Sequence, residues 1–287
     1  MNTKSDKGEM QAVMIDQQVT RSAMTRTAER VVELIRSLSG DTDVAVPRSE
    51  WTVGQAAAHL LVVCRVFTDA AEAHEGRWLP YVPDMAEWRQ RLAMFNERTI
   101  AHVMGDTDGL ADELATAMRA FLTATDGRSG DDRLGTPWYG TGATLTLDAV
   151  NGLVLGELTL HGYDMARAVG ISWPLDPEHA RLIIGGVFPA MIPLIAKPDA
   201  IRSVTASYDI SVRGGPRFVV AFERGQVCVE PFTSQRVDCH IQGDPVTWLL
   251  VGYGRVPQWG PIARGRLRAW GRRPWLGPRF KGLLSNP

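Results

Sequence analysis

The sequence predicts an α+β protein: an N-terminal helical bundle, then a small domain on a mainly antiparallel sheet. Three observations carry this. Up to Gly170, apolar residues recur at the three-to-four-residue spacing of amphipathic helices. From about residue 204 the spacing drops to two, as in Val204-Thr205-Ala206-Ser207-Tyr208-Asp209-Ile210-Ser211-Val212, which is the alternation of a half-buried strand. Helix starts and turn residues punctuate both regions at short intervals, as bundles and hairpins require. A chain of 287 residues is long enough for two domains.

The elements follow in order. Residues 1–17 are polar and weakly patterned, a flexible tail. A first helix runs from about Val19 to Leu38, with Met24, Ala28, Val31, Ile35 and Leu38 as its apolar stripe and Gly40 behind it. Thr52 and Gln55 have capping-box spacing and open a second helix, Val53 to about His74. Asp84-Met85-Ala86-Glu87 opens a third, which continues to Gly105, and a fourth spans about Leu110 to Thr125. Gly127 to Thr144 is Gly-rich and reads as a loop around Pro137-Trp138-Tyr139-Gly140. Thr146 caps a fifth helix that ends at Val169, with Gly170 as its C′ glycine. Asp176-Pro177 starts a further helix, to about Ala196, which Pro189 and Pro193 are expected to kink. Residues 18–170 thus form the bundle, 171–200 a connection and 201–287 the sheet domain. Strands are expected at 204–212, 218–222, 227–229 and 237–241. A helix follows from Pro245 to about Tyr253, then a strand over 264–270 that sets Arg264, Arg266 and Arg268 on one face, and a short terminal helix.

Composition bounds the function. Hydrophobic content of 45%, charged content of 22% and a net charge of -1 describe an ordinary globular chain with no bulk affinity for nucleic acid. No apolar run is read as reaching the roughly 18 residues that cross a membrane, and the N-terminus lacks an apolar signal segment. The three widely spaced cysteines, Cys64, Cys228 and Cys239, form no disulfide framework. A cytoplasmic protein, monomeric or weakly dimeric, is the expectation. Charge is uneven: from Pro245 onward there are eight Arg or Lys and no Asp or Glu. That tail is either an anion-binding face, a docking face or a solvated surface.

The chemistry centres on Gly156-Glu157-Leu158-Thr159-Leu160-His161-Gly162-Tyr163-Asp164. On a helix, Glu157 and His161 share a face with Asp164 one turn on, along a ridge otherwise made of Val150, Leu153, Val154 and Leu160. A carboxylate in an aliphatic core needs a cation or a metal. His59, on the apolar stripe of the second helix with Ala56, Val62, Val63 and Val66, offers a third ligand. Two imidazoles and a carboxylate from two inward ridges suit a three-ligand metal site with an open position. Each residue alone reads equally as a satisfied core group. Cys64, about one and a half turns past His59, reads as a buried structural thiol.

Trp51-Thr52-Val53 followed by Ala57-Ala58-His59-Leu60, together with Glu157-xxx-His161-Gly162-Tyr163-Asp164, resembles the mycothiol-dependent maleylpyruvate isomerase family. That family has a DinB-like four-helix metal-binding bundle. Gly243-Asp244-Pro245 and Gly265-Arg266-Leu267 through Gly271-Arg272-Arg273-Pro274 resemble its C-terminal domain, which is similar to sterol carrier proteins. The resemblance covers about residues 18–287.

It implies that His59, Glu157 and His161 are Zn²⁺ ligands and that mycothiol is the thiol cosubstrate. Asp164 is cast in a catalytic role, hydrogen-bonding a ligand histidine or a nearby N–H, or equally as a helix-end or inter-helix salt bridge. Arg266 and Arg273 are expected to meet the anionic cosubstrate, with Arg89, Arg91 and Arg98 of the third helix and the other tail arginines between Arg264 and Arg273 as alternatives. Zn²⁺ with one carboxylate and two imidazoles carries a formal charge of about +1 and acidifies a thiol that enters the open position. A thiolate there adds to an electrophilic small molecule. Loss of the thiol after bond rotation gives cis-trans isomerisation of a maleylpyruvate-like substrate, and its retention gives an S-conjugate. A non-catalytic small-molecule or lipid carrier, and a bundle closed around a structural metal, are the rival readings.

Overall fold

The computed structural model describes residues 16–38, 41–104 and 109–285. The tail expected at 1–17 lies outside them except for its last two residues, as do the stop signals Gly40 and Gly105. The described chain divides into two compact units, Gln17–Val187 and Phe188–Ser285, with the boundary inside one helix. The protein is α+β: a helical bundle in the first unit, a sheet with short helices in the second.

The N-terminal unit holds α1 (Gln17–Ser37), α2 (Val53–Ala71), α3 (Trp88–Val103), α4 (Leu110–Ala124) and α5 (Leu147–Ala168). The four-helix bundle is made of α1, α2, α4 and α5: α1 and α2 each pack on both α4 and α5, and α3 lies against α2. The sequence fixes the helix ends locally. Thr52 Oγ1 accepts from Gln55 N at 3.3 Å and Gln55 Oε1 accepts from Thr52 N at 2.9 Å, the expected capping box. Thr146 Oγ1 accepts from Ala149 N at 3.3 Å, and Gly170 at φ 73° closes α5 with Ile171 N on Ala166 O at 2.8 Å, a Schellman end.

Two ends differ from expectation. α2 stops at Ala71 rather than near His74, because Ala73 at φ 58° takes the C′ position and His74 N bonds Asp69 O at 2.6 Å. An alanine in the left-handed region gives no signal in sequence. The stretch Glu75–Tyr81 is then a 3₁₀ segment. α3 starts at Trp88 rather than at Asp84, since the Glu87 carboxylate accepts from Arg89 N at 3.1 Å and Gln90 N at 2.8 Å.

The segment read as a loop is a hairpin, β1 (Arg133–Gly135) paired antiparallel with β2 (Thr144–Thr146). Its tip carries a 3₁₀ turn, Pro137–Tyr139. Trp138 pins that tip, being 2% exposed and 5.6 Å, ring to ring, from both Phe67 and Phe95.

α6 (Pro177–Ile195) begins as expected at an Asp176-Pro177 start. It is long and apolar enough, by length and composition, to cross a membrane, contrary to the reading that no run reaches that length. Ala180, Ile183, Ile184, Val187, Met191, Ile192 and Ile195 form a buried helical stripe along it, which is how a core helix comes to have that composition.

In the C-terminal unit, α7 (Pro198–Ile201) leads into β3 (Ala206–Val212), β4 (Arg217–Glu223), β5 (Gln226–Pro231) and β6 (Cys239–Gly243). α8 (Pro245–Gly252), α9 (Trp259–Ala263), β7 (Leu267–Trp270) and α10 (Gly277–Phe280) complete it. The sheet order is β5-β4-β3-β6-β7, antiparallel except for the parallel β3–β6 pair. Tyr208, Phe222 and Phe280 meet ring to ring on one face. On the other, the buried Asp209 carboxylate takes Arg217 at 2.9 and 2.7 Å and His240 Nδ1 at 2.7 Å, tying the parallel pair together. Burial alone would raise its pKa, but these bonds outweigh burial and hold it below the usual carboxylate value. The expected row of Arg264, Arg266 and Arg268 does not form. Gly265 at φ 65° turns the chain and β7 begins only at Leu267.

Gly162 of the organising stretch faces Trp173, where an added Cβ would lie 2.5 Å from the indole Cζ2. Gly162→Ala should gain about 1 kcal/mol of helix propensity and lose about 1–3 kcal/mol to overpacking. The expected result is a net loss, read as a lower urea midpoint. An unchanged or raised midpoint would show that Trp173 does not hold this helix face.

Candidate metal centre

α2 and α5 pack side by side and bring His59 opposite Glu157 and His161. His59 Nε2 lies 3.2 Å from Glu157 Oε2, and His161 Nε2 lies 3.0 Å from the same oxygen. One nitrogen or oxygen from each residue lies within 4.8 Å of the others. Donors held about 2.0–2.1 Å from a tetrahedral zinc lie roughly 3.3 Å apart, so the two histidine–carboxylate spacings fit a shared ion. Exposure is graded: the His59 side chain is 8% exposed, His161 15% and Glu157 26%. The floor of the site is closed and its Glu157 side is open.

Trp51 forms a wall. Its ring lies 4.8 Å from that of His59 and 5.6 Å from that of His161, and the two imidazoles are 5.0 Å apart. The entry to α2 holds it in place: Val46 N bonds Trp51 O at 2.9 Å and Val53 N bonds Val44 O at 2.9 Å.

The electrostatics favour a neutral His59 imidazole beside a charged carboxylate. Burial would raise the Glu157 pKa, but hydrogen bonds from His161 and then His59 reverse this and hold it far below the ordinary carboxylate range. Burial, chiefly, lowers the His59 pKa. Neutral imidazole and ionised carboxylate are the forms that bind a metal. His59 Nδ1 is buried without a hydrogen-bond partner. Tyr139, at the hairpin tip, has its phenol pushed up first by burial and then by the Glu157 charge. It therefore stays protonated. The sequence marks Tyr139 only as part of a Gly-rich loop. Its signal was the Pro137-Trp138-Tyr139 turn, whose position depends on packing around Trp138 and not on local pattern.

The other expected residues fall as follows. Asp164 is buried on α5, one turn beyond His161. Arg266 and Arg273 are exposed residues of the C-terminal unit. Arg273 N donates to Asp238 O at 2.8 Å and its Nε lies 3.8 Å from Asp238 Oδ1. Cys64 is buried, its Sγ on Met118 Sδ at 4.0 Å, with the thiol pushed up to about 12 by burial, so it is an inert core thiol. Asp69, Glu72 and His74 also cluster, but Asp69 already accepts from Arg77 at 2.8 Å and from the Trp78 indole at 2.9 Å.

Comparison with known proteins bears on this geometry. Residues 24–166 match the family model described as the mycothiol maleylpyruvate isomerase N-terminal domain. Among solved structures, a mycothiol-dependent maleylpyruvate isomerase is 12% identical, covering 88% of this chain and 92% of that one at a TM-score of 0.49. The UbiJ-SCP2 ubiquinone synthesis protein is 20% identical, covering 30% of this chain and 75% of its own at a TM-score of 0.25. No curated protein matches the chain in sequence. The matched stretch contains α2, α5 up to Ala166 and all three residues of the cluster, and through it the N-terminal region of this chain belongs to the mycothiol maleylpyruvate isomerase N-terminal domain family.

Proposed function

We propose that this chain is a zinc-dependent enzyme that uses mycothiol against an electrophilic small molecule, either conjugating it or isomerising a maleylpyruvate-like substrate. The observation that carries the reading is the convergence of two imidazole Nε2 atoms from two helices on one carboxylate oxygen, at 3.2 and 3.0 Å. The family match supports the choice of thiol.

His59, Glu157 and His161 would hold the ion. When bound, it supplies the positive charge that lets a thiol give up its proton near neutral pH. Glu157 sets how much charge is left: one carboxylate with two neutral imidazoles leaves about +1, where three histidines would leave +2. An ion of that smaller charge would favour thiol chemistry directed at carbon over activation of water. Trp51 excludes water from the imidazole side. The Tyr139 phenol, kept protonated by burial and by the Glu157 charge, would offer a hydrogen-bond donor to a polar group of the thiol or substrate. Asp164 is read as a supporting residue on the same helix, and Arg266 and Arg273 as contacts for an anionic ligand. The exposed edge of Glu157 favours a working site over a closed structural metal, and the buried donor set over a simple carrier.

Two outcomes follow. Wild type should carry a single zinc per chain, and His59→Ala and His161→Ala should each lose most of it, because removing one of three ligands leaves too few to hold the ion. Full zinc content in both variants, measured by atomic emission after dialysis, would reject the ligand assignment. In the second experiment, the zinc protein is incubated with mycothiol and enone or activated-leaving-group substrates and followed by mass spectrometry. Conjugates or isomers should require thiol, and Glu157→Gln should lower their rate by roughly 10²-fold or more. Thiol-independent hydrolysis, or undiminished turnover in Glu157→Gln, would refute the reading.

A further inference from the structure

Thr159 lies two residues from both Glu157 and His161, and so points to the opposite side of α5. There it lines a recess of about 460 Å³ shared with Arg26 and Arg30 of α1 and with His179 at the start of α6. Two buried atoms in that recess lack hydrogen-bond partners: Thr159 Oγ1 and His179 Nε2. Thr159 is only 3% exposed. A threonine within a helix ordinarily donates to a carbonyl of the preceding turn, as Thr27 does to Ala23 O at 2.8 Å. Thr159 has no such bond.

The protonation of His179 follows from its neighbour. The Thr27 proton is committed to Ala23 O, so Thr27 Oγ1 can only accept from His179 Nδ1–H, 3.3 Å away. The neutral ring then presents Nε2 as a bare acceptor, and burial, the leading influence, keeps it neutral. The nearest carboxylate oxygen, Asp176 Oδ2, is 3.8 Å from Nε2 and cannot supply a proton. Arg30 lies over the Trp173 ring at 3.7 Å and donates one N–H to Pro174 O at 3.0 Å, which fixes its guanidinium at the recess. Buried unsatisfied groups cost about 1–3 kcal/mol each, and here a bare acceptor and an unused donor sit beside two cations and one carboxylate, Asp176, whose Oδ1 already accepts from Glu178 N at 2.8 Å.

We propose that this recess is a second small-molecule site that takes a small carboxylate bearing a hydroxyl group. The carboxylate meets Arg26 and Arg30, and the hydroxyl donates to His179 Nε2 while accepting from Thr159. Chemistry selects the hydroxyl. An ammonium group has no lone pair for the Thr159 proton, and a carboxylate has no proton for the imidazole. The site is independent of the metal ligands and of the activity assigned to them.

The test is titration of the full-length protein with malate, with succinate as the probe lacking the hydroxyl and glycerol as the probe lacking charge. Affinity is read by calorimetry, and the site by the His179 ring-nitrogen resonances, assigned by their loss in His179→Gln. Malate should bind and shift the His179 Nε2 resonance. Succinate, and malate with Thr159→Val, should bind about fivefold to tenfold more weakly, as loss of one buried hydrogen bond predicts. Arg26→Gln should weaken malate as well. Failure of malate to move the His179 resonances would mean that water alone fills the recess, and would overturn the proposal. Equal affinity for succinate, or for Thr159→Val, would overturn it too.

Discussion

An ionised carboxylate inside a helical bundle is the constraint around which this protein is arranged. Left alone, Glu157 would be expensive to bury. Two imidazoles on one of its oxygens, from α2 and from one turn along α5, outweigh that cost and hold it charged. The pairing requires α2 and α5 to lie side by side in one register. The Thr52–Gln55 box and the Thr146 cap fix where each helix begins, and so which residues face each other across the contact. A shift of one residue in either helix would rotate a ligand away by about 100°.

The two sides of α5 then do different work. Toward α2 the helix presents polar ligands beneath Trp51 and near Tyr139. Elsewhere it presents small residues that allow close approach: a Cβ on Gly152 would come within 3.1 Å of Val187, and one on Gly162 within 2.5 Å of Trp173. Close packing there leaves little freedom for the helix to roll, so the donor atoms keep their spacing before any ligand arrives. Site geometry and packing are thus properties of the same 22-residue helix.

Much of this was legible in sequence, because capping and amphipathic spacing are local. Thr52, Thr146, Gly170 and the Asp176-Pro177 start each mark the end that the structure shows. The ridge carrying Glu157 and His161 was visible as well. His59, 98 residues from Glu157, was paired with it by its apolar surroundings and by family resemblance rather than by spacing. What escaped depends on tertiary contacts or on unsignalled backbone conformation. Ala73 ends α2 with a positive φ that alanine rarely adopts. Gly265 breaks the arginine row by turning the chain before β7. Tyr139 feels the Glu157 charge because the hairpin tip is held down by Trp138, packed against Phe67 and Phe95. The apolar stretch of α6 shows the opposite error, since composition alone cannot distinguish a core helix from a membrane-crossing one.

The proposed role of the triad depends on one property, an open position that accepts a thiol. Replacing the native ion with cobalt and titrating the protein with mycothiol tests this most directly. A thiolate bound to cobalt produces a charge-transfer absorption band in the near ultraviolet, and that band should grow to saturation with one thiol per site. Cobalt held by His59, Glu157 and His161 with a spectrum unchanged at saturating mycothiol would contradict it.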